Sequence, residues 1–346
     1  STDISKAVRM DYGSDLYYVE LAAEAMEGWR RWNESWSEPP FKEIGILMLS
    51  ARPLEQSGFE AACWDELRRR SIPLVRLKPT ELAQRFPAWR NSPYVDGYLN
   101  PVAGYVDSGR VMVVLRGLAQ EAGVEIVEGR RCSKLLQHGS RVVGVELEDS
   151  ESFAAERVVV ASGAWTAQLL PELDQFMWAT GQPVVHLLPG EREPFEADHF
   201  PVWCADIANS GRYGFPLTRD GVLKVGHHGA GRRYRPGEPL EVSPEQAAGC
   251  VAFARRLFPD LAEAKVAATR LCLYCDTWDG DFLIDRHPQR EGLVVAAGGS
   301  GHGFKFAPLL GSLTADVVEG RDPRPGDRFR WREPGRTRSE QARSVG

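Results

Sequence analysis

The stretch 293–303, LVVAAGGSGHG, constrains this chain most. Five apolar residues, Leu293–Ala297, predict a buried strand, and the pattern beyond the glycines predicts a helix over Pro308–Val318. Glycines admit positive φ and let the backbone approach a ligand closely. The start of the following helix offers unpaired N–H groups and a positive dipole end to an anion or a carbonyl. A tight strand-to-helix turn would use the same glycines; His302 and Lys305 beside them favour a ligand loop. A second passage, RVVVASGAWT (Arg157–Thr166), repeats the order of strand, glycine stop at Ser162-Gly163, and helix.

Other segments extend this alternation. Leu16, Val19, Ala22, Ala23, Met26 and Trp29 recur at helical spacing behind a capping Asp15, and EIGILMLS (Glu43–Ser50) reads as a strand. Helices are expected over Ser57–Arg70, over Val111–Ala122 behind Asp107-Ser108, and over Pro244–Leu257. Strands are expected at Val124–Val127 and Arg141–Leu147. The stretch Gln182–Lys265 reads as short strands and turns. This succession predicts an α/β layer with a mainly parallel sheet, interrupted by a β-rich unit. The tail from Arg321 holds eight Arg and four acidic residues with little apolar periodicity, so it is expected to be extended or partly mobile.

Composition excludes several classes. The net charge is −6, which argues against a general nucleic-acid binder. No stretch approaches the length of a membrane span, and Ser1–Arg9 lacks a secretory core. Six scattered cysteines (Cys63, Cys132, Cys204, Cys250, Cys272, Cys275) read as reduced thiols, so a cytoplasmic location is expected. The absence of an SKL-type ending speaks against, without excluding, the peroxisome. Cys272 and Cys275 form C-x-x-C without a second pair or nearby His, so no metal is expected. The basic residues divide into 35 Arg and 7 Lys, which singles out any Lys inside a motif.

A third segment, RLCLYCDTWDGDFLIDRHP (Arg270–Pro288), is too polar for a core strand and too aromatic for a free loop. Its cysteines could simply be small buried hydrophobes. Together with GGSGHGFKFAP, VVVASGAWT, GVLKVGHH and KAVRMDYG, in their order along the chain, it resembles the FAD-dependent amine and amino-acid oxidases. These include the monomeric sarcosine, fructosyl-amino-acid and saccharopine–pipecolate oxidases of the D-amino-acid-oxidase-like superfamily. The resemblance runs from about Lys6 to Gly320.

The resemblance implies a discontinuous, Rossmann-like FAD-binding domain (1–40, 105–170 and 275–325), a β-rich substrate domain (41–104 and 171–274) and a tail (326–346). It implies covalent FAD at Cys272, where a partly exposed, low-pKa thiol is expected. It also implies cofactor contacts from Lys6, Cys132, Ser162, Gly163, Trp165, Gly299, Ser300, Gly301, His302, Gly303, Phe304 and Lys305. Lys224 matches a lysine that promotes the reaction of reduced flavin with oxygen, since a fixed cation stabilises developing superoxide-like charge. His228 matches an active-site histidine; strand neighbours face opposite ways, so only one of His227 and His228 should enter the site. Arg9 and Lys305 match the cations that hold a substrate carboxylate, although a surface charge is the plain reading of one Arg among many. Tyr213 and Tyr274 would surround the substrate, with core packing as the alternative.

Family members open with strand, G-x-G-x-x-G and helix, which bind the FAD pyrophosphate. No G-x-G-x-x-G opens this chain. Three readings follow: a fragment of a longer protein, which the sequence favours; a degenerate homologue that cannot retain FAD and acts as a binding or scaffold protein; or FAD held by the remaining contacts. On the favoured reading the isolated chain holds FAD poorly.

The implied activity is oxidation of a secondary amine or N-substituted amino acid carrying a carboxylate. The products are an imine, which water hydrolyses, and hydrogen peroxide. Its partners are an amino-acid-like small molecule and molecular oxygen, and the protein is expected to be a monomer. Rivals are a tailoring oxidase whose imine is captured internally and a dehydrogenase that passes electrons to another acceptor.

Overall fold

Strand alternation decides which residues meet at the centre of this protein. The computed structural model describes residues 3–235, 237–321, 328–338 and 340–344. Its largest sheet runs β15 (Arg232–Tyr234), β11 (Met177–Leu188), β14 (Leu223–His227), β13 (Arg212–Phe215), β12 (Val202–Ala205), β3 (Ile46–Ser50), β5 (Asp96–Asn100) and β4 (Val75–Arg76). β16 (Lys265–Thr277) pairs antiparallel along the other edge of β11. Val185 and Leu187 of β11 and Leu223 and Val225 of β14 project to one face. There they pack with Trp203, Phe258 and the Cys250, Ala254 and Leu257 stripe of α7 (Pro244–Leu257). A Ser243–Gln246 capping box starts that helix.

A second sheet joins β1 (Ser5–Val8), β6 (Gly104–Asp107) and β2 (Phe41–Lys42). A third joins β10 (Val158–Val160), β18 (Leu293–Ala297) and β17 (Leu283–Arg286). Against it lie α1 (Leu16–Ser35), capped by Asp15, and α8 (Ala307–Glu319). Val19, Ala22, Met26 and Trp29 are buried with Phe306, Leu309 and Leu313. A peripheral antiparallel sheet holds β7 (Cys132–His138), β8 (Arg141–Leu147) and β9 (Ser152–Ala154). The remaining helices are α2 (Phe59–Arg69), α3 (Pro79–Arg85), α4 (Ser108–Glu121), α5 (Thr166–Leu169) and α6 (Ile207–Ser210).

The α/β class is as the sequence implied, but pairing is not mainly parallel. Among the described ladders only β10–β18 and β12–β3 are parallel. The middle of the chain, expected as short pieces, is instead bounded by two long partners, β11 and β16, which satisfy each other's backbone over most of their length. Val124–Val127 does not form a strand, because no described strand lies beside it to accept its hydrogen bonds; Val124, Ile126 and Val127 are exposed. On α4, Val111 is buried, whereas Met112, Val113 and Leu118 face outward.

The tail is extended, as expected, but it is also held in place. Its described residues strap across the molecule, held by three aspartates at and just beyond the end of β16. Arg328 pairs with Asp281 (2.7 and 3.0 Å), Arg332 with Asp279 (2.6 and 2.7 Å) and Arg343 with Asp276 (2.6 and 2.7 Å). Bidentate guanidinium–carboxylate pairs are geometrically specific, so they order a chain that lacks apolar periodicity. Phe329 adds a buried ring against Tyr17 and Phe282. Residues 322–327 and 339 lie outside the described residues. No described helix is long and apolar enough to cross a membrane, and no described cluster of His, Cys, Asp or Glu could hold a metal.

Glu60 on α2 is fully buried, with neither carboxylate oxygen hydrogen-bonded. Burial lifts its pKa from 4.5 to about 7. The folded state therefore binds the extra proton, and stability falls as pH rises from 4.5 to about 7. Glu60→Gln is expected to match the parent in acid and exceed it by up to about 3 kcal/mol near pH 8. Urea melts at both pH values check this; a variant no more stable at the higher pH contradicts it.

Candidate active site

The same alternation that sends odd-numbered residues of β11 and β14 to α7 sends even-numbered ones the other way. Thr180, Gln182 and His186 of β11, Lys224 and Gly226 of β14, and Cys272, Tyr274 and Asp276 of β16 share this second face, and His228 continues it just past β14. Gly226 is required there, because a Cβ would drive into the Tyr213 ring. His227 turns aside and packs against Gly211 and Gly229. Only His228 enters, as alternation requires.

Two charged groups form on this face. In the first, the Lys224 amine donates to Ser5 O (2.7 Å), pairs with the Asp3 carboxylate and lies 4.6 Å from the Phe215 ring centre. His186 also reaches Asp3 (3.2 Å), and the Lys6 amine stands 3.7 Å from it. Burial alone would raise the Asp3 pKa, but Lys224, His186 and Lys6 together hold it far below the usual carboxylate range. Burial, then the neighbouring Lys224 charge, pulls Lys6 down to about 8. A cleft of about 200 Å³ lined by Asp3, Ile4, Tyr105 and Asp107 opens beside this group.

Cys272 sits in the field of Lys6, Lys224 and Arg270, yet its thiol is not activated as expected. It is half-buried, and desolvation pushes its pKa upward against those cations. Cys275 projects to the other side, into apolar packing, and burial pushes it to about 12.

The second group is built on the glycine loop and β1. Arg9 Nη2 donates to Glu340 Oε1 (2.9 Å), and His228, bonded to Tyr274 OH (3.1 Å), places Nε2 3.2 Å from Glu340 Oε2 without making a hydrogen bond to it. Lys305 Nζ donates to Tyr12 OH (2.7 Å), which also contacts His302 Nδ1 (3.0 Å). Burial draws Lys305 down to about 7 and His302 to about 4. Burial would raise Glu340, but Lys305, His228, His302 and Arg9 hold it well below the normal range. Gly301, at φ +82°, is required because a Cβ would strike the Tyr274 ring. Ser300 takes φ +41° to make the same turn, its hydroxyl accepting from Thr277 N (3.2 Å).

Not every expected residue joins these groups. Cys132 lies on peripheral β7, with its thiol contacting only Lys134 O among the described contacts. Phe304 stacks on Trp29 against α1, so its ring serves the core. Gly163 and the half-exposed Trp165 form a single turn beside β16, where Ala164 packs with Leu271 and Leu273. Gly299 and Gly303 touch each other across the loop. Sequence reasoning missed Asp3, Tyr12, Glu340 and Arg343. Tyr12 stood inside KAVRMDYG, whereas nothing near Glu340 marks it as buried.

The family follows from one further observation. Residues 5–317 match the DAO family, described as FAD dependent oxidoreductase. The chain belongs to this family. N-methyl-L-tryptophan oxidase of Salmonella heidelberg (strain SL476) is 30% identical over 331 residues, covering 92% of this chain and 84% of that protein. Monomeric sarcosine oxidase of Bacillus sp. (strain B-0618) is 26% identical over 319 residues, covering 91% and 80%. Fructosamine oxidase from Aspergillus fumigatus (Amadoriase II), solved in complex with FSA, aligns at TM-score 0.78 and 27% identity, over 93% of this chain and 77% of that one. Fructosyl peptide oxidase from E. terrenum shares the fold at TM-score 0.83 and 20% identity, over 99% and 85%. The amine-oxidase resemblance read from the five motifs is thus borne out at family level.

The residues of this DAO-family chain suit a flavin. A thiol lies in the field of the buried Lys224 amine and the partly exposed Lys6 amine, and the Ser5 hydroxyl beside them is buried without a hydrogen bond, which suits a ring edged with acceptors. Cys272, Lys6, Lys224 and the 299–305 loop are the groups that would hold it.

Proposed function

We propose that this chain oxidises an N-substituted amino acid, a secondary amine carrying a carboxylate, to an imine that water hydrolyses, with release of hydrogen peroxide. The observation that carries the reading is the presence of two cationic groups, Lys224 with Lys6 around Asp3 and Arg9 with Lys305 around Glu340. Membership of the DAO family and the names of its oxidase relatives support it. FAD, when bound, supplies the acceptor for the hydride and the route of both electrons to oxygen. The rest falls to the protein.

Arg9 and Lys305 bind and orient the carboxylate, which fixes the amine and its neighbouring carbon relative to the sheet. His228, already bonded to Tyr274, lies where it can position the substrate amine. An amine bound neutral needs no strong base, and we assign none. Lys224 is pinned by Ser5 O and Asp3, so its charge is preorganised for the oxygen step. We also read residues 1–40, 105–170 and 275–325 as the FAD-binding unit and 41–104 with 171–274 as the substrate unit.

Attachment at Cys272 is tested by denaturing the FAD-loaded protein and filtering it. Flavin fluorescence should stay with the parent and pass through the filter with Cys272→Ser, because only a thioether survives unfolding. Release from the parent refutes the attachment.

Lys305 supplies a pH test of the carboxylate assignment. Its pKa of about 7 means the free site loses this charge in mild alkali, while a bound carboxylate favours the protonated amine. KM for a carboxylate substrate should therefore rise above about pH 7, by up to about ten-fold per unit. Lys305→Arg, which keeps its charge, should flatten that rise. A KM profile level in the parent would contradict the assignment.

A further inference from the structure

The carboxylate subsite assigned above already holds a carboxylate. Glu340 reaches it from the tail, with its side chain only 4% exposed, and contacts Arg9 at 2.9 Å and His228 at 3.2 Å inside the field of Lys305. The flanking chain is tied down on both sides. Arg338 bonds Asp281 (2.5 Å) before it, and Arg343 grips Asp276 after it, while Ser344 N bonds His228 O (3.1 Å). Glu340 is therefore delivered to one spot at a high effective concentration.

Its fit is nonetheless incomplete. It engages a single nitrogen of the Arg9 fork, and Arg9 Nη1 is buried with no hydrogen bond. Lys305 donates one hydrogen bond to Tyr12 and makes no described bond to Glu340. A free carboxylate, not constrained by a tether, can pair with both guanidinium nitrogens, which is the stronger geometry. The cavity left beside Glu340, among Tyr12, Tyr18, His302 and Gln341, is about 90 Å³. Small-molecule sites usually span about 300–1,000 Å³. With Glu340 seated, a substrate carboxylate has neither the cations nor the room.

We propose that Glu340 is a specificity-determining residue: it occupies the substrate-carboxylate subsite of Arg9 and Lys305, beside His228, and only a ligand bringing its own carboxylate displaces it. The inference rests on the amine-oxidase reading for the identity of the displacing ligand. An amine without a carboxylate meets a filled subsite and gains nothing by competing. A carboxylate ligand regains the unused Arg9 nitrogen, at the cost of lifting the tether, so its affinity is reduced but its selectivity is raised.

The test compares the FAD-loaded parent with Glu340→Gln and Glu340→Ala at pH 6, below the value of about 7 to which Lys305 is drawn with Glu340 in place. Acetate binding is followed by calorimetry, and steady-state oxidation is followed with N-methylglycine and with dimethylamine, its carboxylate-free counterpart. Both variants should bind acetate at least ten-fold more tightly and lower KM for N-methylglycine by a similar factor, with KM for dimethylamine unmoved. Acetate affinity that is unchanged or weaker in both variants overturns the proposal, as does an equal gain for dimethylamine, which would mark Glu340 as a plug without selectivity. Tightened acetate binding without turnover of either amine by any of the three proteins supports the role of Glu340 and counts against the amine-oxidase reading alone.

Discussion

Replacing Lys224 with methionine is expected to slow the consumption of oxygen by the reduced protein by about 10²–10³-fold, while substrate still reduces it at close to the parent rate. The basis is the fixed position of the amine. Ser5 O, Asp3 and the Phe215 ring hold it, so no reorganisation is needed when negative charge develops on oxygen. Lys224→Arg keeps the charge and should recover part of the loss. Stopped-flow measurement of the two half-reactions separates them; an equal loss in both would show that Lys224 acts on substrate binding. Asp3 keeps Lys6 and His186 when Lys224 is removed, so the fold should survive, and a thermal melt verifies this.

The second large effect concerns stability. Arg343→Ala removes a guanidinium that makes two hydrogen bonds to a nearly inaccessible Asp276, leaving a buried carboxylate with Thr180 as its one side-chain donor among the described residues. Breaking a buried pair from one side costs about 3–5 kcal/mol. The expected result is an unfolding free energy from urea melts lowered by that amount, together with faster amide exchange over 340–344. Adding Asp276→Asn should restore much of the loss, because the stranded charge is then gone. A shift below about 1 kcal/mol, typical of an exposed pair, would mean the strap is not bound through this contact.

Much of the architecture was legible because it depends on local pattern. The α7 bounds follow from Pro244 and the Ser243 cap, and β18 from a run of apolar residues ending at Gly298. Lys224 and His228 fall two strand steps apart, and that spacing alone puts them on one face. The errors have a different origin. Val124–Val127 has the composition of a strand, but a strand exists only with a neighbour to pair with, which composition does not report.

The tail was legible as extended but not as anchored, because its anchoring comes from ion pairs with distant residues. Arg328, Arg332 and Arg343 look solvated until Asp276, Asp279 and Asp281 are brought opposite them. The unusual concentration of Asp in 276–285 and of Arg beyond 321 was the available signal. The Cys272 thiol was misjudged for the complementary reason. Three cations surround it, as an activated thiol needs, but burial outweighs them. Sequence shows the charges and not the solvent.

The most direct measurement adds N-methylglycine or N-methyl-L-tryptophan anaerobically to the FAD-loaded protein and follows the visible flavin absorbance, then admits oxygen and assays peroxide. The account predicts bleaching by at least one of these carboxylate amines, recovery of colour with oxygen, and one peroxide for each amine oxidised. A flavin that stays oxidised with every N-substituted amino acid offered, or one that is reduced but returns its electrons without forming peroxide, would contradict it.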